Sequence, residues 1–352
     1  MSARRIRLPG VAVGLVLLAC GVAHAPTSHR GTALRLAPIA GLDLLMSVPD
    51  ENPLTIEGVA VGERLFFDPL LSVDGSVRCA SCHRPDRAFS DSVPLSRGVF
   101  GRLGRRNAPA VVNRVYGRAF FWDGRARSLE DQVLHPVQDA VEMGQPITRL
   151  VRRLRADRSY ADAFALAFGA LDSGTVARAL ASYVRTLRAG NAPFDRWRDG
   201  DTAALSPEAR RGLVLFAGRA NCIVCHVGPN FSDEDFHNTG VSARSARTTA
   251  VFDSGRARIT GRAADVGAFK TPTLREVVRT PPYMHDGSLA TLEDVVAFYD
   301  SGGFASPHLD PDIAVLHLTK AERADLVAFL HALSDATLTS GGSHGRPLGT
   351  NR

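Results

Sequence analysis

Cys79-Ala80-Ser81-Cys82-His83 and Cys222-Ile223-Val224-Cys225-His226 are the stretches that decide how the rest of this chain is read. Each holds two thiols separated by two residues and followed at once by a histidine. That spacing is the attachment signature of c-type haem. The thiols of Cys79 and Cys82, or of Cys222 and Cys225, would add to the two vinyl groups along one porphyrin edge. His83 or His226 would then lie beneath the iron as proximal ligand. Zinc held by the same four cysteines is the bland rival. Zinc pairs sit closer in sequence than these, and zinc requires no histidine after both pairs. A redox-active CxxC would want a βαβ frame, and none surrounds either motif.

The fifth cysteine, Cys20, falls in a leader. Arg4, Arg5 and Arg7 precede an apolar run from Leu8 to Ala19, the layout of an export signal covering residues 1–25. The run is shorter than the roughly 20 residues a membrane span needs. Ala23-His24-Ala25 has the small-x-small form of a cleavage site, although Pro26 is a poor residue to follow it. Leu17-Leu18-Ala19-Cys20 resembles a lipoprotein signal, and a lipid on Cys20 would dispose of the odd thiol. Release into the bacterial periplasm and anchoring there through Cys20 both stay open. Membrane contact is expected only through that anchor.

The 352 residues suggest about two domains. With 45% hydrophobic and 22% charged residues, the composition is that of a globular protein. The formal charge of +6 suggests nucleic acid at first sight. Five arginines and no acid precede Asp43, and setting those five aside leaves +1 on the rest. The dispersed arginines form no aromatic-interleaved stripe, so no nucleic-acid partner is expected. Gly98, Gly101 and Gly104 lack the Lys-Ser/Thr of a phosphate-binding loop.

Helical periodicity dominates, and strand signals are few. Helices are expected over Leu54–Phe67, Ser128–Leu134 (capped by Ser128 and ended by Pro136), Thr148–Arg155, Tyr160–Phe168 and Thr175–Arg188. Further helices are expected from Ser206 to about Phe216, over Thr291–Tyr299 and over Thr319–Ser334, the last with a capping box to Glu322. Residues 84–118 read as a long loop, 190–201 as a polar link, 228–268 as loop-rich and 337–352 as a disordered tail. The fold class is all-α, with two cytochrome c-like helical domains over 45–190 and 205–336, each carrying one covalent haem c. GERLFFDPLLS before the first motif and RRGLVLFAGRA before the second form a weak internal repeat.

Over roughly residues 50–335 the chain resembles the bacterial di-haem cytochrome c peroxidase and MauG family. The segments that carry the resemblance are GERLFFDPLLSVDGSVRCASCH, GRRNAPAVVN, FFWDGRARSLEDQ, HPVQDAVEMG, GPNFSDEDFHNTGV after the second motif, and FKTPTLREVVRTPPYMHDGSLATLEDVVAFYD. The resemblance implies that the His83 haem reacts with hydrogen peroxide and that the His226 haem passes or stores electrons, with Trp122 between them. Glu142 would take the first peroxide proton, Gln132 would hydrogen-bond the bound peroxide and Pro136 would wall the pocket. A solvated surface acid is the plain alternative for Glu142, and a core aromatic for Trp122. His135 reads as a local packing residue. Residues 84–134 contain no histidine to block the first iron, which implies a haem open without reductive activation. Asn107, Thr280 and Pro282 match the family's protein ligands for a calcium ion between the domains, two of them through backbone carbonyls.

The second axial ligand of the His226 haem is expected at Tyr299, where the resembling peroxidases carry Met and MauG-like proteins carry Tyr. Met284 is then a packing residue. A tyrosinate favours high oxidation states and implies a MauG-like oxidase acting on a partner protein. The alternative is a peroxidase fed by a small redox protein, cytochrome c or cupredoxin. A non-catalytic di-haem carrier is the third reading, and Gln132 with Glu142 argues against it.

Overall fold

α1 (Ile56–Phe66) is opened by Thr55, whose hydroxyl accepts the Gly58 amide at 3.0 Å, and it buries Val59, Val61, Leu65 and Phe66. Asp68 and Pro69 end it by starting a separate turn. The computed structural model that shows this describes residues 31–249 and 251–335. The expected leader with Cys20 and the expected tail over 337–352 lie outside the described residues.

After α1 come α2 (Cys79–Cys82), α3 (Leu129–Gln132), α4 (Leu134–Gln138), α5 (Ile147–Ala156), α6 (Arg158–Phe168) and α7 (Ser173–Thr186). They are followed by α8 (Pro193–Arg198), α9 (Pro207–Ala217), α10 (Val241–Thr249), α11 (Ala257–Thr260), α12 (Leu292–Asp300) and α13 (Lys320–His331). The named strands are the two-residue β1 (Phe236–His237) and β2 (Phe269–Lys270), antiparallel with Phe236 opposite Lys270. No single helix among the described residues is long and apolar enough to cross a membrane.

The weak repeat in the sequence is a repeated helix crossing. A Cβ placed on Gly62 of α1 would collide with the Ala179 carbonyl of α7 and lie 2.9 Å from the Tyr183 Cβ. A Cβ on Gly212 of α9 would collide with the Asp325 carbonyl of α13 and lie 2.8 Å from the Phe329 Cβ. Glycine alone lets the two backbones approach this closely. Four residues beyond each glycine a phenylalanine is buried, Phe66 in one half and Phe216 in the other. Each crossing seeds its own core. Leu65, Leu71, Leu150, Leu154, Phe164 and Leu180 fill the first. Phe216, Phe231, Phe329 and Leu333 fill the second, with Phe194 edge-on to Phe329 at 5.7 Å.

Two expectations need correction. Pro136 does not end a helix but lies inside α4. A proline has no amide to offer the carbonyl four residues back, so the ladder breaks upstream at Val133 and separates α3 from α4. The polar link contains α8, opened by Pro193, because its polar residue is the buried one. Asp195 accepts the Ala192 amide at 2.9 Å and pairs with Arg275, both side chains being fully buried. Residues 228–268 are loop-rich as expected, with the short α10 and α11 set among irregular segments. Residues 84–118 form the expected long loop, broken by single 3₁₀ turns.

The halves meet at a polar seam. Arg114 binds Glu234 through two nitrogens at 2.8 and 2.9 Å, Arg106 bridges Asp123 and Asp253, and Arg256 donates to the carbonyls of Asp123 and Gly124. The β1–β2 ladder lies on the same seam, because the Lys270 amide donates to the Trp122 carbonyl at 2.8 Å.

Candidate active site

Both thiol motifs close the same turn. The His83 amide donates to the Cys79 carbonyl at 2.9 Å, and the His226 amide donates to the Cys222 carbonyl at 2.9 Å. Each imidazole is then clamped by the loop that follows. His83 Nδ1 lies 3.0 Å from the Phe89 carbonyl, and His226 Nδ1 lies 2.9 Å from the Phe231 carbonyl. A carbonyl only accepts, so Nδ1 carries the hydrogen and Nε2 keeps its lone pair. Burial holds both imidazoles below their ordinary range, so they stay neutral. Burial likewise pushes the thiols of Cys79 and Cys222 up to about 12 and that of Cys82 up to about 11. Among the described residues the four sulfurs do not converge, and the one group of potential metal donors pairs Cys225 with Asp233 and His237. A shared zinc centre is therefore excluded. Paired thiols beside a neutral histidine with a directed Nε2 fit haem c.

Glu142 lies in the turn after α4, close enough to the first motif for its charge to raise both Cys79 and Cys82. Burial raises the Glu142 carboxyl above its ordinary range, Asp139 adds to this and Arg125 opposes it. A cavity of about 270 Å³ opens here, lined by Arg125, His135, Gln138, Asp139 and Glu142. Pro136 belongs to α4 between two of these residues. Gln132, half-buried at the end of α3, is not among the lining residues. His135 is exposed at the rim, 3.2 Å from Asp131 and edge-on to Phe121 at 5.5 Å.

Sequence reasoning overlooked Arg125. Its guanidinium stands 3.4 Å over the Phe121 ring and is held by Asp123 at 3.0 Å. The signal was present in the FWDGR segment, but only the indole was read from it. Phe121 takes φ +66°, which costs a bulky residue roughly 1–2 kcal/mol.

Trp122 donates its indole N–H to the Asn107 carbonyl at 2.9 Å and accepts the Lys270 amide, so it spans the seam. The Asn107 amide nitrogen of the main chain donates to the His285 carbonyl, which brings Asn107 against the segment carrying Thr280 and Pro282. The side-chain NH₂ of Asn107 is spent on the carbonyls of Val93 and Pro94, at 3.1 and 3.3 Å. The Thr280 hydroxyl donates to the Val277 carbonyl at 3.0 Å. The Pro281–Pro282 peptide is cis.

Tyr299 sits near the end of α12 in an apolar cluster with Val241, Leu289, Met284 and Phe298. Burial lifts its phenol well above the ordinary range, charge on Cys225 and Cys222 lifts it further, and a hydrogen bond with Thr239 opposes them. The tyrosine is therefore beside the second motif. A phenolate there would need a cation in front of it.

Residues 56–203 match the family model described as "Di-haem cytochrome c peroxidase". The chain is 40% identical over 340 residues to the methylamine utilization protein MauG of Methylorubrum extorquens, covering 92% of this chain and 94% of that one. It is 38% identical over 351 residues to the cytochrome-c peroxidase IdrP1 of Denitromonas iodatirespirans, covering 92% and 93%. A MauG-like protein associated with microbial copper homeostasis has a crystal structure that superposes with a TM-score of 0.80 at 32% identity, over 88% of this chain and 98% of that one. The chain belongs to the di-haem cytochrome c peroxidase and MauG family. It is a di-haem peroxidase, an oxidoreductase with peroxide as acceptor, and the carrier reading is set aside.

Proposed function

We propose that this is an exported, periplasmic MauG-like enzyme with two covalent haems c, on Cys79/Cys82/His83 and Cys222/Cys225/His226. The haems would supply the site for peroxide cleavage and a store for electrons. The chain's own residues would manage protons and position. Glu142 would accept a proton from peroxide entering the cavity, because its buried carboxylate has the raised basicity the task needs. Gln132 would orient the peroxide from the end of α3, and Pro136 would fix α4 as the wall. Trp122 would link the halves electronically. Asn107, Thr280 and Pro282 would hold a calcium ion, whose taste for oxygen ligands matches a side-chain amide and two carbonyls. The leader would be removed before Pro26, or before a lipidated Cys20 that anchors the protein.

The observation that carries the MauG-like reading is the place of the half-buried Tyr299, close enough to Cys222 and Cys225 for their charge to raise its phenol. An anionic oxygen at the second iron would favour its higher oxidation states and suit oxidation of a partner protein. The other reading, a peroxidase that takes electrons from a small cytochrome c or cupredoxin, is favoured by the packing of Met284 in the same cluster. Absorption and paramagnetic resonance of Tyr299→Met decide between them. A changed ferric spectrum of the His226 haem is expected. An unchanged spectrum, or a Met–iron charge-transfer band in the wild type, hands the function to the second reading.

A further inference from the structure

Lys270 is 8% exposed. Its amide donates to the Trp122 carbonyl at 2.8 Å, across the seam. The next residue is fastened to the loop that follows the second motif. The Thr271 amide donates to the Asp235 carbonyl at 2.9 Å, and the Ser232 hydroxyl donates to the Thr271 carbonyl at 2.8 Å. One peptide thus joins the indole to the surroundings of His226.

The ammonium carries charge into this seam. Nζ donates to the Thr271 carbonyl at 2.9 Å and stands 3.6 Å from the Glu234 carboxylate. Glu234 cannot neutralise it alone, because both its oxygens already accept from Arg114. The charged groups facing Lys270 are Arg114 from the first half and Asp233 and Glu234 from the second. Burial and Arg114 push the ammonium down to about 7 against the pull of Glu234 and Asp233. Glu234 itself is held down to about 2, chiefly by Arg114 against the cost of burial. Two cations therefore share one firmly ionised carboxylate out of contact with water. His226 feels the Lys270 charge directly.

We propose that Lys270 is a positioning residue for electron passage between the halves. Its main chain sets the register of Trp122, and its ammonium places a positive charge beside the second haem. The inference rests on reading His226 as a haem ligand and Trp122 as the bridge. Charge shielded from water acts at several ångströms with far more force than charge in solution. A positive charge there disfavours loss of an electron from the neighbouring iron or indole, and so raises the potential of the His226 haem. It opposes the effect of an anionic Tyr299, and the potential reflects the balance of the two.

The test is spectroelectrochemical titration of both haems in the full holoprotein at mildly acid pH, where Lys270 is charged. Lys270→Met should lower the potential of the His226 haem with a smaller shift at the His83 haem. Lys270→Arg should leave it near the wild-type value. Glu234→Gln, which removes the carboxylate the two cations share, should raise it. Equal potentials in wild type, Lys270→Met and Glu234→Gln overturn the proposal. If Lys270→Met fails to retain both haems, Lys270→Gln, which is neutral but can keep the bond to the Thr271 carbonyl, takes its place, and an unmoved potential in it overturns the proposal. Trp122→Phe separates the bridge from the charge. Slower transfer between the haems in that variant, beside unmoved potentials in the Lys270 series, would sink the proposal and leave the bridge standing.

Discussion

Glu142 shows what a single position contributes and how far sequence could anticipate it. A carboxylate near a haem-binding motif is unremarkable until its surroundings are known. Here burial and Asp139 raise its basicity, and Arg125 keeps the rise in check. Glu142→Gln should retain both haems and lose reactivity with peroxide by about 10²–10⁴-fold, as removal of a general base does. Stopped-flow absorption at the His83 haem checks it, and unchanged kinetics would make Glu142 a surface acid. The sign of the pH dependence follows from the direction of the shift. A carboxyl raised above its ordinary value loses its ionised, proton-accepting form earlier as pH falls, so the rate should drop on the acid side above the usual carboxylate range. Arg125→Leu removes the opposing charge and should move that limb to still higher pH. Glu142 was legible because its segment resembles a family. Arg125 and Lys270 were not, because their meaning lies in partners that sequence distance hides. Lys270 meets Trp122 across 148 residues of chain.

At the scale of elements, the helices that were read correctly are those whose caps are local. Thr55, Ser206 and Thr319 each accept an amide two or three residues into the helix they open. The elements that were misread depend on long-range pairing. α8 looks like a polar linker because its charge is satisfied by Arg275, 80 residues away. The glycine crossings are of the same kind, for only the fold shows what Gly62 and Gly212 abut. Gly62→Val forces α1 off α7 and should destabilise the first half by about 1–3 kcal/mol, the usual cost of overpacking. Gly212→Val should do the same to the second half through α13. Thermal unfolding followed at each haem band tells them apart, and a melting temperature unchanged in both variants would show that the crossings have slack. The crossing partners differ in one atom. Tyr183 carries a buried hydroxyl with no hydrogen-bond partner among the described residues, where the other half has Phe329.

The whole molecule depends on its seam, where paired charges replace a shared apolar core. Such a joint is sensitive to whatever cation sits in it. Exhaustive chelation should change the spectra of both haems and slow transfer between them, because Asn107 touches Trp122 through its carbonyl and the 280–285 segment through its amide. Asn107→Ala should reproduce the effect, and indifference of spectra and turnover to chelation would remove calcium from the account. The paired motifs themselves were readable in the sequence. The seam was not, since its ion pairs link residues with more than a hundred positions between them, as Arg114 and Glu234 do.

One of these long links bears on how the chain reaches its final form. Arg275, in the last third of the chain, donates to the carbonyl of Gly41 near the beginning at 2.7 Å, and the same guanidinium holds Asp195 of α8. The core between residues 54 and 189, with Leu34, Leu36 and Val48 packed against it, draws only on the first part of the chain and can assemble as soon as that part is available. The strap around Gly41 cannot. It waits for a residue made 234 positions later, so synthesis from one end delivers a first half that is packed but not yet fastened. The chain is tied off at its start by nearly the last piece to arrive.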